Sequence, residues 1–116
     1  MAQQFDPGGF AQRQLDAYNA RDLERFIQEY TEDVQVFVLP DAKPILVGKT
    51  AFAAHYRDNR FNLPDLHAQV LARMVFGNKV IDHEVVTGIP GAPVVAAAIY
   101  EVTALGISKV WFVDAT

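Results

Sequence analysis

The hydrophobic pattern changes period once, near Pro64. Before it, apolar residues recur at helical spacing. Ala11, Gln14, Leu15 and Tyr18 share one face at i, i+3, i+4 and i+7, which predicts a first helix. Asp22 is placed to cap a second, with Leu23, Phe26, Ile27 and Tyr30 on its inward face. VQVFVL (34–39) reads as a strand and PILVG (44–48) as a short second strand ending at Gly48. TAFAAHYRDNRF (50–61) reads as a third helix carrying Phe52 and Tyr56 on one side. After Pro64 the period falls to two. In LHAQVLARMVFG, the residues Leu66, Ala68, Val70, Ala72 and Met74 form a wholly apolar face, opposite His67, Gln69, Leu71, Arg73 and Val75. KVIDHEVVTG, VVAAAIYEVTA and ISKVWFVD follow as further strands, separated by GIPGAP and by a turn around Leu105-Gly106. Residues 1–9, ending in Pro7-Gly8-Gly9, read as a flexible lead-in, and 10–116 as a single domain. The layout predicts an α+β domain in which three helices of the N-terminal half pack on a curved, mostly antiparallel sheet.

Asp82, His83 and Glu84 interrupt the strand that begins at Lys79, and alternation requires at least one of them to point inward. Gly77-Asn78 is a two-residue hairpin signal. Counting outward from it pairs Phe76 with Lys79, Met74 with Ile81, Arg73 with Asp82, Ala72 with His83 and Leu71 with Glu84. Paired residues share a face. His83 then lies on the apolar inner face, while Asp82 and Glu84 lie on the mixed outer face with Arg73 opposite Asp82. A three-residue loop would shift the register and turn Asp82 and Glu84 inward instead. The two-residue loop is preferred because it buries one titratable group rather than two.

Composition narrows the function. The chain has 116 residues, 51% hydrophobic and 21% charged, as expected of one globular domain with a real core. It has no cysteine, which fits a reducing cytoplasm. MAQQFDPGGF has no secretory pattern, and no apolar run approaches the ~18 residues of a membrane span. The net charge is −4 and the ten basic residues form no stripe, which argues against nucleic-acid binding. His55, His67 and His83 are scattered without an inward carboxylate cluster, and no glycine-rich phosphate loop precedes a helix. No metal or cofactor is expected.

AYNARDLERF, TEDVQVFV, VGKTAFAAHY and the closing AAIYEV…GISKVWFV give the chain a family likeness. In element order, in N-A-x-D-L and in V-W-F it resembles the nuclear transport factor 2-like superfamily, in particular its SnoaL-like and ketosteroid isomerase-like group, over residues 10–114. The resemblance implies a cone: a bent sheet around three helices, enclosing an apolar pocket, often in a homodimer. It implies no single activity, since the fold hosts isomerases, cyclases, dehydratases, epoxide hydrolases and plain binding proteins. The isomerase residues do not carry over. Gln14 stands where those enzymes place a tyrosine, Val38 where they place the aspartate base, and Tyr100 where they place the protonated aspartic acid of the oxyanion hole. Tyr100 can still donate a hydrogen bond; Val38 cannot accept a proton.

The expected site is therefore a different set. His83 is the candidate acid or base, since imidazole titrates near pH 6.5, and Tyr100 the partner that polarises a carbonyl. Gln14, Tyr18, Phe52, Tyr56, Met74 and Trp111 are the candidate ligand contacts, with Trp111 facing Tyr100 across the last hairpin. Each also has a structural role open to it, as a satisfied core histidine or a packing aromatic. Leu71, Val75, Val80, Val86, Ile99 and Phe112 are expected outside the cone, as an apolar face that suits a homodimer. Three functions stay open: a cofactor-independent isomerase, cyclase or dehydratase acting on an apolar carbonyl compound, a non-catalytic pocket for an apolar ligand, and a dimerisation module whose cavity is filled by Met74 and Trp111.

Overall fold

A computed structural model describes residues 5–114. Helices α1 (Pro7–Asn19) and α2 (Leu23–Gln28) lead into strand β1 (Tyr30–Val38), the short β2 (Leu46–Val47) and helix α3 (Lys49–Asn59). Strands β3 (His67–Phe76), β4 (Lys79–Thr87), β5 (Val94–Thr103) and β6 (Gly106–Asp114) complete one six-stranded sheet in the order β2-β1-β6-β5-β4-β3. Only β1 and β6 run parallel among these neighbours. This is the α+β cone expected from the sequence.

Two boundaries differ from expectation. Pro7-Gly8-Gly9 is not lead-in but the first turn of α1. Proline tolerates the first helical position because its missing N–H would be unpaired there anyway, and the Asp6 carboxylate accepts from Gly9 N at 3.2 Å. Residues 1–4 of the expected lead-in lie outside the described residues. Tyr30 does not close the face of α2 but opens β1, because the helix stops at Gln28. Its ring is still buried in the same core, 4.4 Å from Phe52, whose ring in turn stacks on Phe26. The Asn19 side chain ties α1 to the start of β3, donating to Ala68 O at 3.0 Å and accepting from Ala68 N at 2.8 Å. That clamp sets the depth at which Gln14 and Tyr18 enter the cone.

The β3–β4 hairpin has the predicted register near its turn, with Phe76↔Lys79, Met74↔Ile81, Arg73↔Asp82 and Ala72↔His83. The faces are the reverse of those expected. Beyond Ala72 the register slips, and Val70, not Leu71, pairs with Glu84. Leu71 is the extra residue of a β-bulge, which exchanges the two faces of a strand. Leu66, Ala68 and Val70 face inward below it, but Arg73 does so above it, and Ala72 and Met74 turn out. Asp82 is therefore fully buried (0% exposed), Glu84 points into the cone, and His83 lies exposed on the outer surface. Val80 and Val86, expected outside, belong to the core, and Phe112 packs against it.

A second bulge corrects the last hairpin. Val102 pairs with Ile107 but Glu101 pairs with Lys109, which leaves Ser108 as the extra residue. Tyr100 consequently faces Val110. Trp111 sits beside Ile99 on the outer face, stacked on Phe37 with ring centroids 5.6 Å apart.

Candidate functional site

Between the inner face of the sheet and the three helices lies a cavity of about 240 Å³. It is lined by aromatic and aliphatic side chains, among them Leu15, Phe26, Val36, Ala68, Val86, Ala96 and Phe112. The small Ala96 and Ala98 of β5 leave the room in front of Tyr100 that a larger pair would fill. Exposed Ile45, Val94 and Asp114 reach the wall from the solvent side and mark its mouth.

A directed hydrogen-bond chain crosses the closed end. The Tyr30 hydroxyl donates to Gln14 Oε1 at 2.8 Å. Gln14 Nε2 donates to the Ala11 carbonyl at 3.0 Å and to the Tyr100 hydroxyl at 3.2 Å. Both amide hydrogens and the amide oxygen of Gln14 are thereby used, which fixes the orientation of the side chain. Tyr100 receives a hydrogen bond at its oxygen, so its own O–H is left to donate to a ligand. Burial pushes the phenols of Tyr30 and Tyr100 well above their usual range, and nearby charges including Glu84 add to this. They stay protonated donors throughout the physiological range.

Glu84 is the titratable carboxyl on the β4 side of the wall. Its carboxyl is pushed up to about 7, first by burial in the apolar wall and second by the negative charge of Asp82 on the same face of β4. Asp82 itself is held by Arg73, which donates from Nε at 2.7 Å and Nη2 at 3.0 Å, and from Nη1 to Gln12 at 2.9 Å. The expected Arg73–Asp82 pair is thus real, but it lies inside the cone rather than on a solvated face. The two carboxylates differ in environment. Asp82 is committed to a guanidinium, whereas Glu84 has no side-chain partner among the described residues and opens onto the cavity.

Tyr18, Tyr56, His55 and Arg60 form the side toward α3. Burial raises Tyr18 to about 12, against the pull of the neighbouring Arg60 guanidinium, and raises Tyr56 further. Burial and the Arg60 charge lower His55, which favours the neutral imidazole.

Of the residues singled out from sequence, Gln14, Tyr18, Tyr56 and Tyr100 line this one cavity. His83, Met74 and Trp111 do not: all three sit on the outer face, for the bulge-driven reasons given above, and Met74 is 55% exposed. They neither act in the cavity nor fill it. Phe52 is buried beneath the wall in the aromatic core and does not line the cavity. Glu84, Tyr30 and Arg60 were missed as a set. The signal for Glu84 was the alternation Val80-Asp82-Glu84-Val86, whose partners on β5 are Tyr100, Ala98, Ala96 and Val94. In this register Tyr100 and Glu84 share the inner face. Among the described residues no group of three or more His, Asp or Glu side chains is arranged to hold a metal ion, and no helix is long and apolar enough to cross a membrane.

Residues 11–107 match the SnoaL-like domain. Among solved structures, a cystatin-fold protein from Novosphingobium aromaticivorans superposes with a TM-score of 0.85 at 22% identity, over 94% of this chain and 98% of that one. A SnoaL-like protein of unknown function from Burkholderia thailandensis gives 0.78 at 20% identity, over 95% and 94%. RV0760c from Mycobacterium tuberculosis gives 0.78 at 18% identity, over 96% and 92%. At these identities the likeness is one of fold. No curated protein matches the chain.

Proposed function

Because the chain belongs to the SnoaL-like domain family of the nuclear transport factor 2-like superfamily, we propose that it binds a small apolar carbonyl compound in its cone and moves a proton on it, as a cofactor-independent isomerase or lyase with Glu84 as the acid–base group. The observation that carries this reading is the presence of two complementary functions on the wall of one cavity. A carboxyl without a protein partner is poised near neutrality, and a tyrosine has its hydroxyl hydrogen left over. A base is most effective when its pKa lies near the working pH.

In the proposed step, ionised Glu84 removes a proton from the carbon next to the carbonyl. The C–H electron pair moves to form the enolate, whose oxygen takes the Tyr100 O–H hydrogen bond, backed by Gln14 and Tyr30. Return of the proton from Glu84 to a different carbon gives an isomer. If Glu84 instead delivers that proton to a β-hydroxyl group as its C–O bond breaks, the enolate collapses to the unsaturated carbonyl product and water, and Glu84 is ionised again. The volume supports a small substrate. About 240 Å³ is the space of roughly eight liquid waters, just under the ~300 Å³ at which typical ligand pockets begin, so a one- or two-ring compound suits it better than a four-ring one.

The test is α-proton exchange of 2-tetralone in D₂O, followed by NMR across pH 5–9. The protein is expected to accelerate exchange over buffer, with a rate that rises and levels off above about pH 7 as Glu84 ionises. Exchange at the buffer rate across the range would defeat the proposal.

We also propose that two copies associate through the outer sheet face. All three helices pack on the inner side, and among the described residues nothing covers Leu71, Met74, Val95 and Val113, four large apolar residues at 37–55% exposure on that face. Trp111, Ile99 and Ile81 extend it. Sedimentation equilibrium is expected to return twice the 12.9 kDa chain mass, and Met74→Glu to return the single chain. A single-chain mass for the wild type would rule the association out.

A further inference from the structure

Arg60 follows the last turn of α3 and forms part of the cavity wall beside Tyr18 and His55. It is half-buried; Nη1 donates to the main-chain oxygen of Asn59 at 2.9 Å and the guanidinium lies against the Tyr18 hydroxyl, but no carboxylate meets it. Among the described residues it joins no ion pair. Arg73, the other half-buried arginine, is engaged with Asp82, and even exposed Arg13 and Arg57 pair with Glu29 and Asp58. A guanidinium withdrawn from water with unspent donors is costly unless something pairs with it. The carboxylates that share its cavity, Glu84 and Asp114, both lie beyond ion-pair distance. Its charge is felt at Tyr18 and at His55, and not among the causes that set Glu84. The cavity therefore carries a cation against α3 and an acid on β4 that do not pair with each other.

We propose that Arg60 is an anion subsite which selects ligands carrying a carboxylate at one end of an apolar body. This rests on the reading of the cavity as a ligand site and names the class of compound it takes: small hydrophobic carboxylic acids with their reactive carbonyl elsewhere in the molecule. The planar guanidinium fork matches a carboxylate through two parallel hydrogen bonds. The neutral form of His55 suits the arrangement, since a neighbouring imidazole nitrogen can add a donor without placing a second cation against Arg60. Separation from Glu84 matters as well, because a ligand carboxylate lodged at Arg60 would not be repelled by the ionised base.

Two probes of one shape separate charge from size: 2-naphthoate and the neutral 2-acetonaphthone, titrated calorimetrically at low salt. The wild type is expected to bind naphthoate about tenfold or more tightly than the ketone, with the preference shrinking as ionic strength rises. Arg60→Gln should reduce the preference to less than about twofold, through weaker naphthoate binding. Arg60→Lys should retain part of it, and Arg57→Gln all of it. Ketone binding with no preference for the acid, or a preference that survives in Arg60→Gln, overturns the subsite while the cavity stands as a ligand site. Failure of both probes to bind, with the protein folded by circular dichroism, overturns the cavity reading and the subsite together.

Discussion

Glu84→Gln is expected to give a protein that is inactive in proton exchange and more stable than the wild type at alkaline pH. Both effects come from the same burial. Glutamine keeps the size and the carbonyl oxygen but cannot accept a proton, so the exchange rate on 2-tetralone should fall by about 10²–10⁴, the usual contribution of general acid–base catalysis. The sign of the stability effect follows from linkage. The folded-state pKa of Glu84 is raised, to about 7 from an ordinary 4.5, so the folded chain holds this proton more tightly than the unfolded chain. Its contribution is fully present below about pH 4.5 and is lost as pH rises through about 7. Above that the ionised carboxylate sits in an apolar wall at a cost of about 3 kcal/mol, at 1.36 kcal/mol per pKa unit. Glutamine removes the titration. Urea unfolding of both proteins should therefore give similar stabilities at pH 4 and a gap of about 3 kcal/mol in favour of Glu84→Gln at pH 8. A gap that does not change with pH would mean that Glu84 titrates normally, and retained exchange activity would mean that the base lies elsewhere.

Arg73→Ala should destabilise the fold by about 3 kcal/mol, at the lower end of what breaking a buried pair costs. Asp82 is fully buried, and Arg73 is 21% exposed at the side chain, so water reaches the guanidinium but not the carboxylate. Removing the arginine strands a charge with no solvent of its own and also frees Gln12. The paired change Arg73→Met with Asp82→Leu should recover most of the loss, because a well-packed apolar pair can match an ion pair of the same volume. It should also lower the pH midpoint of exchange, since the Asp82 charge is one of the two causes that raise Glu84. Thermal unfolding of Arg73→Met, Asp82→Leu and the double variant closes a double-mutant cycle. An Arg73→Ala loss under about 1 kcal/mol would class the pair with ordinary surface salt bridges.

The placement of these two carboxylates marks the line between what was legible in the residues and what was not. Helical spacing located α1 and α3, and Asp22 capped α2 as expected, its carboxylate accepting from Arg25 N at 3.2 Å. The Gly77-Asn78 loop set the β3–β4 register up to Ala72↔His83. Each of these rests on interactions between residues close in the chain, and motif resemblance then extended them to the family. Preferring the arrangement that buried a single titratable group failed for a physical reason. Two acids can be buried if one is neutralised by an arginine and the other opens onto a cavity that shifts its pKa.

Local pattern alone determined element order, the pairing next to the Gly77-Asn78 turn and fold class, because periodicity, caps and turn residues act over a few positions. Tertiary structure decided which face was inside. The bulges at Leu71 and Ser108 let the sheet bend around the helices, and each adds a single residue that reverses every side chain beyond it relative to its partner strand. VLARMV offers apolar residues to both faces, so no local cost betrays where the extra residue falls. The exchange of His83 for Glu84, and of Trp111 for Val110, was settled only when the cone closed and Tyr100, Gln14 and Tyr30 had to share one hydrogen-bonded end.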